Sequence, residues 1–125
     1  MNLFKLIFYK DSNGYDPLAE YLNELSRKAV TSKNERIKLK KIVEYLELLE
    51  KHGTRLGEPH VKHIEGDIWE LRPLSNRIIF FHWKAGKMIM LHHFVKKTQR
   101  TPRREIEQAK RNQKDFLERG FINEE

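Results

Sequence analysis

Two arginines, Arg72 and Arg77, flank the short turn Pro73-Leu74-Ser75. A guanidinium stays charged at physiological pH and grips phosphate through two nitrogens, so a pair this close can share one phosphate. Glu70 precedes Arg72 by two residues in an extended run, and strand alternation puts both on one face. A structural ion pair is the plainer role for those two. Lys62, Lys96, Lys97 and Arg100 add cations on either side in the chain. Arg103 and Arg104 prolong the cluster into a helix start, where backbone N–H groups also favour anions. His60, His63, His92 and His93 are the candidates for proton transfer, because imidazole titrates near neutral pH. Their spacing matches no strong metal-ligand pattern, so no metal is expected. Cysteine is absent, which excludes disulfides, thiolate zinc sites and cysteine nucleophiles. No Ser-His-Asp set, glycine-rich phosphate loop or dinucleotide fingerprint occurs.

These residues need strands to position them. Apolar, β-branched and aromatic runs predict strands at Ile68–Arg72, Asn76–Trp83 and Lys87–Val95. Pro73-Leu74-Ser75 and Lys84-Ala85-Gly86 connect them, giving an antiparallel meander. A shorter strand, His60–Ile64, precedes it through the turn residues Gly66-Asp67. Alternation sets Ile68, Glu70 and Arg72 against Trp69 and Leu71. It sets Arg77, Ile79, Phe81 and Trp83 against Ile78, Phe80 and His82. In the last strand it sets Leu91, His93 and Val95 against Met90, His92 and Phe94. Only one of His92 and His93 can therefore join Glu70 and Arg72, and His93 is taken as that residue.

Helices must cover the sheet. Leu3–Tyr9 reads as a first strand that joins the later ones. Asp16-Pro17 reads as an N-cap followed by proline at the first helical position. The apolar positions Leu18, Tyr21, Leu22, Leu25 and Ala29 then predict a helix, broken at Val30-Thr31-Ser32. A second helix is predicted from Lys33 to His52, stopped by Gly53. Its first half carries Lys33, Arg36, Lys38, Lys40 and Lys41, and its second half Glu44, Glu47 and Glu50. That order opposes the helix dipole, so local helix stability does not explain it. It is either a surface for a partner or phosphate, or a solvated face with Lys41–Glu44 and Glu47–Lys51 pairs. A last helix is predicted from Pro102 to Arg119, capped by Thr101, with a narrow apolar stripe that places it peripherally. Phe121–Glu125 reads as a frayed end.

The 125 residues are read as one domain, 1–125, of the α+β class. Lys and Arg number 25 against 18 acids, a net charge of +7, and the pI is about 9.7. That excess fits a polyanionic or acidic partner. The first residues do not form a signal peptide, and no apolar run is long enough to span a membrane. A cytoplasmic location is expected.

The order ELRPLSNRIIFF, LHHFVKKTQRTP and EIEQAKR, preceded by VKHIEGDIWELR, resembles the RelE/ParE superfamily of type II toxin–antitoxin toxins. The nearest branch is the HigB-like, phage-type toxins. The resemblance implies a RelE-like fold: an antiparallel-dominated sheet covered on one face by an N-terminal αα-hairpin, plus a C-terminal helix. It implies a metal-independent, cofactor-free endoribonuclease that cleaves mRNA in the ribosomal A site and so inhibits translation. The 2′-hydroxyl attacks the adjacent phosphodiester and leaves a 2′,3′-cyclic phosphate. The partners implied are mRNA, the ribosome and a cognate HigA-like helix-turn-helix antitoxin, with operator DNA met only through that antitoxin. Arg72 and Arg77 match family arginines, and Lys96 or Lys97 the basic position after the last strand. RelE carries two lysines where this chain has Ile68 and Glu70, and its C-terminal tyrosine has no counterpart after Tyr45. The acid and base therefore do not transfer. The expected catalytic set is Arg72, Arg77, His93, Glu70 and Lys97, with His93 or Glu70 handling protons, Arg72 and Arg77 binding phosphate, and Lys62, Lys96 and Arg100 holding RNA. Two alternatives are a gyrase inhibitor of the same fold, as in ParE-type members, and a basic binding module.

Overall fold

The structure, a computed structural model, describes residues 3–123, with side chains through Arg119. Five strands form one sheet in the order β1-β5-β4-β3-β2. They are β1 (Lys5–Phe8), β2 (Val61–Glu65), β3 (Ile68–Leu71), β4 (Asn76–His82) and β5 (Lys87–Val95). β1 runs parallel to β5, and every other pairing is antiparallel. Helices α1 (Pro17–Ala29) and α2 (Lys33–His52) form the predicted hairpin between β1 and β2, and α3 (Arg103–Asn123) follows the sheet.

The helix starts follow from side-chain chemistry. Asp16 accepts from the Ala19 N–H at 3.0 Å with Pro17 at the first turn, and Ser32 accepts from the Glu35 N–H at 3.3 Å. Each satisfies a backbone donor that the helix itself leaves unpaired. Gly53 ends α2 at φ 59°, and an added Cβ there would lie 2.6 Å from the Phe4 ring. Both the left-handed backbone and the close approach of Phe4 therefore require glycine.

The sheet has a core on each side. Val61, Leu71, Ile78, Phe80, Met88 and Met90 pack with Leu18, Leu25, Ile42, Leu46 and Leu49 of the hairpin. Ile68, Ile79, Phe81, Ile89, Leu91 and Phe94 pack on the other side, where α3 contributes Ala109. α3 is thus less peripheral than its narrow stripe predicts: Ile106 and Ala109 are buried against the face expected to be open. The helix also begins and ends differently. It starts at Arg103, with the Pro102 carbonyl accepting from Glu105 and Ile106, and its backbone reaches Asn123. It thus takes in part of the segment read as frayed, while Glu124 and Glu125 lie outside the described residues. Among the described residues no helix is long and apolar enough to cross a membrane.

One irregularity changes the faces. Ile79 sits opposite His92, but its neighbour Phe80 sits opposite Met90, so Leu91 is an extra residue in β5. This bulge puts two consecutive residues on one side of the sheet. Leu91 packs in the α3-side core, and His92 beside it bonds Glu105 of α3 at 2.7 Å. His93 consequently points to the hairpin side, opposite to the predicted assignment.

Candidate nucleic-acid interface

Glu70 is the centre of the site. It projects from β3 on the α3 side of the sheet and is 1% exposed. Its cross-strand neighbours are Lys62 on β2 and Ile79 on β4. A carboxylate taken out of water at this depth needs compensating donors. Arg72 Nε lies 3.6 Å and Arg77 Nε 3.8 Å from Glu70 Oε1, and the Thr101 hydroxyl donates to Oε2 at 2.7 Å. The carboxylate therefore holds two guanidinium groups side by side.

The turn between the arginines is fixed from within. Leu74 adopts φ 57°, a left-handed conformation that β-carbon sterics disfavour. Arg77 Nη1 donates to the Leu74 carbonyl at 2.7 Å and to the Asn76 carbonyl at 2.8 Å, which fastens that conformation. Arg77 is 5% exposed, and burial first, then the adjacent Arg72 charge, lower its pKa against the pull of Glu70. Arg72 is more open, with 22% of its side chain exposed, and its Nε is buried without a hydrogen-bond partner. One arginine thus builds the site, and the other faces what enters it.

A small cleft of about 20 Å³ opens over these groups, lined by Glu70, Arg72 and Arg77 with Lys62, Lys96 and Arg100. It has room for about one water or one phosphate oxygen. It adjoins a groove of about 1000 Å³ between β2, residues 97–102 and the start of α3. The cleft and groove share Lys62, Phe94, Thr98, Arg100 and Thr101. Lys97 lines the groove but not the cleft. The far wall is braced by Glu65 of β2, which bonds Arg103 at 2.6 Å and also Lys110. Those two cations hold the Glu65 carboxyl down at about 2. Across the cleft one carboxylate faces five cations, an arrangement that attracts the phosphates of a polyanion.

His93 does not belong to this site. It lies under α1, its ring centroid 4.0 Å from that of Tyr21, and its Nε2 is 3.0 Å from Asn76 Oδ1. The Tyr21 hydroxyl donates to the same oxygen at 2.9 Å. Burial first, then the neighbouring His92, push the His93 pKa down to about 4. The ring is neutral at pH 7 and packs on the face away from Glu70. The expectation that His93 handles protons beside Glu70 is therefore corrected, and the cause is the Leu91 bulge. The other histidines are dispersed: among the described residues no group of three or more metal-type ligands forms.

Sequence reasoning missed Thr101. Its place before Pro102 reads as a helix cap, but its hydroxyl spans 31 positions to reach Glu70. Thr98 and Gln99, which also line the cleft, carried no signal.

The family model described as phage derived protein Gp49-like (DUF891) matches residues 20–114. The chain belongs to that family. The Gp49-like family is one of RelE/ParE-like toxin–antitoxin toxins, which implies an antitoxin partner. The matched span contains every residue of the cleft and leaves β1 outside it. Comparison with curated proteins gives no match.

Proposed function

We propose that this Gp49-like chain is a HigB-like toxin that cleaves mRNA on the ribosome without a metal. A HigA-like helix-turn-helix antitoxin neutralises it and is its only link to operator DNA. The observation that carries this reading is the Arg72–Arg77 pair, held by a buried carboxylate at the end of a cationic groove. Lys62, Lys96 and Arg100 at the cleft and Lys97 on the groove wall grip the RNA backbone. Arg72, steadied by Glu70, faces the scissile phosphate. The 2′-oxygen attacks phosphorus, its proton leaves to water in the open groove, the P–O5′ bond breaks and water protonates the 5′-oxygen. The arginines stabilise the charge that builds on the non-bridging oxygens, a kind of contact worth about 10²–10³ in rate. Glu70 positions them and moves no proton, because it is buried and already accepts from Thr101.

The test is primer-extension mapping of breaks in a translated mRNA, with and without ribosomes, using the purified chain. Breaks confined to ribosome-bound message support the proposal. Growth arrest without RNA breaks would contradict it and leave the gyrase-inhibitor or binding-module alternative.

A further inference from the structure

The charge order of α2 is not used by the cleft, which lies on the other face of the sheet. Local pairing explains part of it. Lys38 bonds Glu35 and Lys41 bonds Glu44, each at 3.2 Å, and Arg36 Nη1 donates to the Ala29 carbonyl at 2.8 Å. Among the described residues Lys40 and Glu47 make no ion pair. Arg36, Leu39, Lys40, Val43, Glu44 and Glu47 line a shallow, apolar-floored groove along this helix. Val43 is 41% exposed in its middle.

The positions of these six residues are symmetric about the point between Lys41 and Ile42, with the cations Arg36 and Lys40 on one side of it and the acids Glu44 and Glu47 on the other. Position 36 mirrors 47, 39 mirrors 44, and 40 mirrors 43. The steps from 36 to 40, 43 and 47 are those of a helix–helix seam. A two-fold axis at that midpoint lays a second copy antiparallel on the first. Arg36 then meets Glu47 of the second copy, Lys40 lies beside its Glu44, and the two Val43 side chains pack near the axis. Each contact occurs twice, as a two-fold interface requires. We propose that this ridge is a self-complementary surface on which a second copy of the chain docks antiparallel. The pairing supplies the reason for a charge order that the helix dipole opposes. It also leaves both arginine clefts uncovered, because α2 and the cleft lie on opposite faces of the sheet. The seam is short, about 16 Å from position 36 to 47. The dimer is therefore weak and concentration-dependent.

Sedimentation equilibrium of the full chain over a concentration series tests this. The mass is expected to rise from 15.1 kDa toward twice that value. The Arg36→Glu/Lys40→Glu chain and the Glu44→Lys/Glu47→Lys chain should each stay monomeric, while their equimolar mixture recovers the dimer. Circular dichroism melts check that both are folded. If losing the Arg36–Ala29 contact unfolds the hairpin, Lys40→Glu against Glu44→Lys makes the same comparison. A wild-type chain that stays monomeric throughout overturns the proposal, as does a dimer indifferent to both charge reversals. So does a monomer whose α2 ridge gains hydrogen-exchange protection only when antitoxin is added, which would assign the ridge to the antitoxin.

Discussion

The two faces of the sheet handle buried polarity in opposite ways. On the hairpin face, His93 and Asn76 sit among apolar side chains, and burial keeps the imidazole neutral with its pKa near 4. On the α3 face, Glu70 is buried as deeply as most core residues, but two arginines and Thr101 surround it. The hairpin face thus avoids charge, while the α3 face keeps charges by gathering partners and opening a cleft beside them. A neutral, enclosed group serves packing. A cluster with excess positive charge and a way in from solvent serves an anion.

Breaking the α3-face cluster should have the largest effect. Glu70→Ala leaves two guanidinium groups without their buried counter-charge, and is expected to cost about 3–5 kcal/mol of stability. Urea unfolding measures it, and a loss under about 1 kcal/mol would mean that the arginines do not depend on Glu70.

The hairpin face should respond to acid instead. With the folded pKa of His93 near 4 and an unfolded value near 6.5, the unfolded chain takes up the proton first as pH falls. This residue's contribution to stability is therefore intact above about pH 6.5 and is lost progressively down to about pH 4, at most about 3 kcal/mol in all. His93→Gln should flatten that part of the stability–pH curve. An unchanged slope between those limits would show that the ring is not buried as described.

Smaller effects sharpen the boundary of the site. Thr101→Val removes a donor to a charged acceptor and should cost about 2 kcal/mol. It should also slow RNA cleavage by loosening Glu70, whereas a mere helix cap would leave cleavage unchanged. Lys96→Ala, in the cleft, should reduce the slope of RNA affinity against salt by about one phosphate contact. Lys97→Ala, on the groove wall, should weaken binding less.

Much of this contrast was legible in the sequence. Alternation along IWELR placed Glu70 with Arg72, and caps and spacing gave both hairpin helices, because those signals are local. What failed depended on distant pairing. The Leu91 bulge arises from how β5 meets β4, and nothing in MIMLHHFV marks it, so the face of His93 was inverted. Thr101 had two possible partners, a local helix end and a carboxylate far away in the chain, and only the fold decides between them. The stripe of α3, Ile106, Ala109, Phe116 and Leu117, is narrow in the sequence, but the small Ala109 packs into the core on that side of the sheet. It is completely buried there.

The most direct test compares the two faces in one assay. Initial rates of mRNA cleavage are measured for the wild-type chain, Arg72→Ala and His93→Gln at pH 7, with folding of each checked by circular dichroism. Arg72 is partly open to the cleft, so its loss should leave the fold intact and lower the rate about 10²–10³-fold. His93→Gln should stay within about twofold of wild type, since the ring and its contact with the Asn76 side chain lie on the face away from the groove. A folded Arg72→Ala chain that cleaves at the wild-type rate, or a His93→Gln chain that loses cleavage, would contradict the assignment of the chemistry to the α3 face.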